Sequence, residues 1–222
     1  MVEPVAKPVA EVAAPSIWHR LGDRSVLVFD DLFSEEFIEA IGIMALRLNY
    51  RRSPGYNEQL HYNLEDEFYL RIPIFPKTIA ALGAHYKHEL GAGDVELKVF
   101  HAYAASLRYG DFALGHTDCE SPKCLTFLYY ANLHWDSDWG GETLFYDRAW
   151  DARFAVTPRP GRLILFHANL NHRTGIPLRD CPHSRLTLSV FLRDHENFLA
   201  RTFEDDSDGD SGEERWARLE AI

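Results

Sequence analysis

Between residues 95 and 193 the chain breaks into short apolar or alternating runs, ELKVFHAYAA, CLTFLYYAN, ETLFY, GRLILFHA and RLTLSVFLR, separated by Gly, Pro, Asp and Asn. Runs of this length, rich in β-branched and aromatic residues, read as strands. No helical period of useful length intervenes, so the pattern predicts an antiparallel sandwich, jelly roll or barrel and not a parallel α/β sheet. Ahead of it, Ser25 to Phe29 reads as a strand. Ser34 then offers an N-cap, Glu35 and Glu36 fill a first helical turn, and Phe37, Ile38, Ile41 and Leu46 supply an apolar stripe. A second helix is expected from Pro76, suited to a first turn, through Ile79, Leu82 and Tyr86 to a stop near Gly91.

The ends lack such patterning. Residues 1–15, MVEPVAKPVAEVAAP, carry prolines too often for helix or strand and no aromatic residue. They read as a disordered leader. Residues 201–222 read as an acidic tail, because seven carboxylates from Glu204 to Glu214 form a like-charge block too hydrated to pack. Asp206, Asp208 and Asp210 have the alternate spacing of a calcium loop, but the glycine arrives late at Gly212 and Ala217 stands where the closing carboxylate belongs, so no EF-hand is expected. Residues 16–200 are left as a single domain.

Composition narrows the class. A chain of 222 residues, 46% hydrophobic and 26% charged, can bury a substantial core. Its net charge of −11 argues against a nucleic-acid backbone partner. No apolar run reaches the roughly 18–20 residues of a membrane helix, and no secretion pattern opens the chain. Cys119, Cys124 and Cys181 are an odd, sparse set that does not read as a disulfide framework. A cytoplasmic, reducing location is the expectation, and nothing in the pattern specifies an oligomeric state.

Candidate chemistry begins with the eleven histidines. Most have ordinary explanations as surface or satisfied core residues. His116 and Asp118, in GDFALGHTDCE, differ because residues two apart on extended chain share a face, so an imidazole and a carboxylate converge. A lone His-X-Asp arises often by chance and covers only part of a metal's coordination sphere. A third ligand should come from a later strand end, with His172, His167 and His183 as the choices.

These segments, taken in order, resemble the 2-oxoglutarate and Fe(II)-dependent oxygenases, and within them the prolyl-hydroxylase-like group. The resemblance spans about residues 95–193. It rests on His116-X-Asp118, CLTFLYYAN, the loop WDSDWGGETLFYD, PRPGRLILFHANLNHRTG, and Arg185 opening RLTLSVFLR. It implies an α+β, mainly β fold: a double-stranded β-helix (jelly-roll) core with N-terminal helices packed on it. It selects His172 as the distal ligand, since that histidine follows a Gly-Arg-Leu-hydrophobic-Phe strand and precedes a basic residue. His116, Asp118 and His172 are then the iron ligands and the catalytic centre. Two histidines and one carboxylate on one octahedral face leave three adjacent positions open, whereas a closed four-ligand zinc site leaves none.

The same resemblance places the cosubstrate 2-oxoglutarate against Arg185, with Ser189 four residues along the strand on the same face, Tyr130, and Tyr103 or its competitor Tyr109. A guanidinium grips a carboxylate with two parallel hydrogen bonds and stays charged when desolvated. Arg185 lies thirteen residues after His172, further than the family's commoner spacing, which leaves Arg179 as a weaker candidate. A surface ion pair with Asp180 is the bland explanation for Arg185. Gly140 and Gly141 permit a bend near the site mouth, where Trp135 or Trp139 could meet substrate.

The implied activity is a 2-oxoglutarate-dependent non-haem iron dioxygenase that uses dioxygen, admits ascorbate as reductant, and releases succinate and CO2. Asp118 fills the place that halogenase relatives leave vacant, which favours hydroxylation of an unactivated C–H bond. The substrate is expected to be an amino acid or a peptidyl residue, prolyl among them, with residues 51–75, including Tyr56, Tyr62, Tyr69 and Arg71, as a candidate substrate wall. The competing readings are a non-catalytic jelly-roll metal or ligand binder and an oxygenase of non-peptide small molecules.

Overall fold

A computed structural model describes residues 13–52, 60–64, 74–121 and 123–194. The leader up to residue 12, the acidic tail, Tyr56, Tyr69 and Arg71 lie outside the described residues.

Strands β1 (Ile17–Leu21) and β2 (Arg24–Phe29) form a hairpin, followed by helix α1 (Glu35–Arg47), short strands β3 (Arg51–Arg52) and β4 (Leu60–Asn63), and helix α2 (Ile74–Tyr86). The β-rich part then runs β5 (Leu97–Leu107), β6 (Cys124–Tyr130), a 3-10 turn Ser137–Trp139, β7 (Thr143–Tyr146), β8 (Ala152–Val156), β9 (Leu163–His167), β10 (His172–Thr174) and β11 (Arg185–Asp194). Among the described residues eight strands make one sheet, ordered β1-β2-β9-β6-β11-β5-β4-β3, and three make a second, ordered β10-β7-β8. Every pairing is antiparallel. The mainly β jelly-roll expectation is met, but the large sheet is not confined to residues 95–193: β2 lies between β1 and β9, one strand in from the edge.

The strand period of two explains the two cores. Leu27, Phe29, Leu125, Phe127, Tyr129, Leu163, Leu165, Leu186, Leu188 and Val190 face the helices, where Phe37, Ile41, Phe75, Ile79 and Leu82 meet them. The alternate positions Val26, Val28, Leu128, Tyr130, Ile164 and Phe166 face Phe145 and Val156 of the small sheet. Helix α1 starts as its sequence indicates, because the Ser34 hydroxyl accepts a hydrogen bond from the Phe37 N–H and two acidic residues sit in the first turn. Ala13, inside the expected leader, already belongs to the fold, since its carbonyl accepts a hydrogen bond from the Tyr86 hydroxyl at 2.9 Å.

The cysteine expectation needs correction. Cys119 and Cys124 are joined by a disulfide and Cys181 is free. The segment after Asp118 turns back on itself to enter β6, which brings the two Cα atoms to 6.4 Å although neither lies in a disulfide-rich pattern.

Candidate active site

Three side chains converge where the two sheets meet. His116 lies on extended chain bridged antiparallel to His172, each N–H donating to the other's carbonyl at 2.9 Å. Asp118 is held two residues on, its N–H donating to the Ala168 carbonyl at 2.8 Å. His116 Nε2 lies 3.4 Å from Asp118 Oδ1 and His172 Nε2 lies 3.6 Å from Asp118 Oδ2. One donor atom from each residue falls within 4.8 Å of the others, so the trio could hold a metal ion.

The donor chemistry tests that fit. The Nδ1 atoms of His116 and His172 lie 2.9 Å from the carbonyl oxygens of Leu114 and Leu170. A carbonyl can only accept, so each Nδ1 carries a proton and each ring turns toward Asp118 its Nε2, the atom left to bind a metal. Burial pulls the His172 imidazole below its ordinary range, with Asp118 opposing, which favours the neutral form that binds metals. Burial also works against charge on Asp118, but His172, His116 and the Thr126 hydroxyl outweigh it and keep the carboxyl below the usual range. Burial would lower His116 too, yet its hydrogen bond and attraction to Asp118 raise it on balance. The side chain of His116 is 30% exposed against 7% for Asp118 and 5% for His172, so the site opens at His116.

The cavity beside the trio is lined by Tyr103, Thr126, Thr174, Thr187, Ser189 and Phe191, among others. On β11 the residues Arg185, Thr187, Ser189 and Phe191 share a face, so Arg185 ends the row whose other members line the cavity. It is 1% exposed. Its Nε donates to the Gly141 carbonyl at 2.7 Å and its Nη2 to Thr143 Oγ1 at 2.9 Å, and its guanidinium lies 5.1 Å from the Tyr130 ring centroid. Among the described residues no carboxylate forms a salt bridge with it. Burial lowers its pKa, with Tyr130, Tyr103 and Glu142 opposing, and a guanidinium remains a cation under such pressure. The surface-pair explanation therefore does not apply, and Arg179 is exposed.

The other expected residues are distributed as follows. Tyr103 and Ser189 are register partners and both line the cavity. Burial pushes the Tyr103 phenol upward and Asp118 adds to it, so it stays protonated. Tyr109 is 63% exposed. Tyr130 is fully buried against Arg185, and its hydroxyl donates to the Val156 carbonyl at 3.0 Å while meeting Thr143 Oγ1 at 2.6 Å. Trp135 is buried with its Nε1 donating to the Gly140 carbonyl, and Trp139 packs against His134, Trp135 and His183. Tyr62 packs on the helical core.

Both rival histidines are accounted for. His167 falls on the helix-facing side of β9, one position out of phase with Phe166, and its Nδ1 accepts hydrogen bonds from the Arg24 guanidinium and the Asn169 N–H. His183 is exposed. Two residues escaped sequence reasoning. Thr126 donates to Asp118 Oδ2 at 2.7 Å, and Thr143 accepts from Arg185. Parity with Leu128 and Tyr130 could have put Thr126 on the cavity face, but no spacing rule links Thr143 to Arg185.

The sequence model of the 2OG-Fe(II) oxygenase superfamily matches residues 101–193, a stretch that contains the trio, Ser189 and Arg185. That stretch is therefore similar to the oxygenase domain of the superfamily, which supports a 2-oxoglutarate- and iron-dependent oxygenase. Among solved structures it is similar to a prolyl-4-hydroxylase of Pseudomonas putida, at 14% identity and TM-score 0.59 over 77% of this chain and 92% of that one. It is also similar to a prolyl hydroxylase of Trichoplax adhaerens in complex with a hypoxia inducible factor peptide fragment, at 17% identity and TM-score 0.58 over 77% and 84% of the two chains. A third similar fold is the non-heme α-ketoglutarate-dependent epimerase SnoN of nogalamycin biosynthesis, at 18% identity and TM-score 0.59 over 76% and 78%. No curated protein matches the sequence. Among the described residues no helix is long and apolar enough to cross a membrane.

Proposed function

We propose that His116, Asp118 and His172 hold the ferrous ion, that Arg185 binds the distal carboxylate of 2-oxoglutarate with help from Ser189 and Tyr103, and that the enzyme hydroxylates an amino-acid or peptidyl substrate, prolyl residues included. The observation that carries this reading is a buried guanidinium with no carboxylate partner among the described residues, closing a row of polar side chains that leads to the trio. An unpaired buried cation is costly, and a dicarboxylate with one end at the metal would neutralise it. The bound iron with dioxygen supplies the oxidising chemistry. The chain's own residues orient the cosubstrate, hold the proton of His116 and His172 on Nδ1, and bury Asp118 and His172 more deeply than His116. On this reading residues 16–200 act as one catalytic unit, with residues 51–75 a candidate substrate wall.

A second reading, oxygenation of a non-peptide small molecule, draws on the similarity to SnoN. Incubation with Fe(II), 2-oxoglutarate and labelled dioxygen over a panel of amino acids, prolyl peptides and small aromatic products separates the two. Succinate formation with gain of one labelled oxygen on a peptidyl or amino-acid member is expected. Labelling confined to the small-molecule members would overturn the substrate assignment, and absence of succinate with any member would overturn the cosubstrate assignment.

A further inference from the structure

The Asp118 carboxylate faces both imidazoles, Oδ1 toward His116 and Oδ2 toward His172, so either oxygen, or both together, could reach a metal between them. Which it offers matters. A carboxylate bound through both oxygens takes two coordination positions and leaves two beside the histidines, whereas one bound through a single oxygen leaves three. A chelating keto acid and dioxygen need three.

Thr126 resolves this choice. Its hydroxyl donates to Asp118 Oδ2 at 2.7 Å, whereas Asp118 Oδ1 faces only the trio's own His116 Nε2, at 3.4 Å. The threonine cannot follow a drifting carboxylate. It is 2% exposed, in the fully buried strand β6, paired in register with Phe166 of β9 on one side and Phe191 of β11 on the other. The Asp118 segment is also anchored independently of this hydrogen bond: the Asp118 and Cys119 N–H groups both donate to Ala168, and the Cys119–Cys124 disulfide ties the segment to the start of β6. The backbone is thus fixed by other means, and the hydroxyl is left to set the carboxylate's rotation.

We infer that Thr126 is a positioning residue that occupies Asp118 Oδ2 and so presents Oδ1 alone to the metal, which keeps the third open position available to the cosubstrate. The inference rests on the reading that the trio binds iron. Removing the hydroxyl frees the carboxylate to turn, so metal binding loses its preset geometry and the keto acid competes with Oδ2 for a position.

The test uses the full chain and two readouts apart from turnover: calorimetric titration of the metal-free protein with Mn2+, and the charge-transfer absorption that 2-oxoglutarate induces with Fe(II) under anaerobic conditions. Thr126→Val, which keeps the shape and loses the hydroxyl, is expected to weaken Mn2+ binding by about 10- to 100-fold and to diminish the charge-transfer band at saturating metal. Thr126→Ser is expected to restore both. Thr126→Ala serves in place of the valine variant if that one does not fold, and thermal unfolding of each metal-free variant separates a misfolded site from a misaligned one. Wild-type Mn2+ affinity and an unaltered band in a folded Thr126→Val would overturn the inference, as would equal losses in the valine and serine variants. Asp118→Ala distinguishes the two levels: if it too binds Mn2+ like wild type, the ligand assignment itself fails, whereas loss there beside wild-type behaviour in Thr126→Val sinks the positioning role alone.

Discussion

The large sheet buries both of its faces and treats them differently. Toward the helices, β2, β9, β6 and β11 present Leu27, Phe29, Leu163, Leu165, Leu125, Phe127, Leu186, Leu188 and Val190. Toward the small sheet, the alternate positions begin as Val28, Ile164 and Leu128 and then give way to Thr126, Arg185, Thr187 and Ser189, all buried. One set of strands therefore carries a packing face and a chemical face, separated only by the side-chain period of two. Stability should come mainly from the first and activity from the second, since burying polar groups costs free energy unless each is hydrogen-bonded.

The sharpest way to break that division is to exchange atoms on each face without changing the other. Asp118→Asn keeps the shape and an acceptor for Thr126 but offers the metal a neutral amide. Turnover of 2-oxoglutarate should fall to background while the metal-free protein unfolds within about 1 kcal/mol of wild type. Denaturant unfolding and succinate assays on the same preparation check both halves, and a large loss of stability would mean that the chemical face also carries the fold.

Leu165→Ala is the mirror experiment. Leu165 is fully buried, stands in register with Leu27 and Phe127, and is the immediate neighbour of Phe166 on the other face. Its truncation should cost about 2–5 kcal/mol and lower the urea midpoint, while succinate formed per folded molecule stays near wild type. A matching fall in specific activity would show that the void is transmitted through β9 to the site.

The division also explains what could be read from the chain. The strands were legible because the short apolar or alternating runs CLTFLYYAN, GRLILFHA and RLTLSVFLR are a local property, and so was the row from Arg185 to Ser189. His116, Asp118 and His172 emerged from motif order, and the structure brings them together. The edge strands β1 and β8 escaped notice because each buries little, and the residues of IWHRL and ARFAV show no clean alternation. Tyr130 shows the other limit. Its place on the correct face was readable, but whether its hydroxyl points at a ligand or is consumed by Thr143 and Val156 depends on the small sheet, which is remote in sequence. The Cys119–Cys124 bond likewise depends on how the Asp118 segment turns into β6.

The smallest effect concerns a charge pair that belongs to neither face. Asp30 follows the last residue of β2 and Arg162 precedes the first of β9, so they extend the antiparallel ladder beyond the Phe29–Leu163 pair. Arg162 Nε and Nη2 donate to the two Asp30 oxygens at 2.7 and 2.9 Å, and Nη1 donates to the Thr157 carbonyl. The hydrogen bond from Arg162 holds the Asp30 carboxyl below its ordinary range, burial opposing. A depressed folded-state value means that the unfolded chain takes up the proton first. The pair's contribution is therefore complete above the ordinary carboxylate pKa of about 4 and disappears as pH falls through the lower folded-state value. Water reaches Asp30, which limits the pair, and Asp30→Asn should cost about 1–2 kcal/mol at pH 7. The difference between variant and wild type in urea unfolding should shrink steadily below about pH 4. A gap that stays constant into acid would assign the loss to packing around Arg162, not to charge, and would make this clasp part of the fold's apolar side of the division.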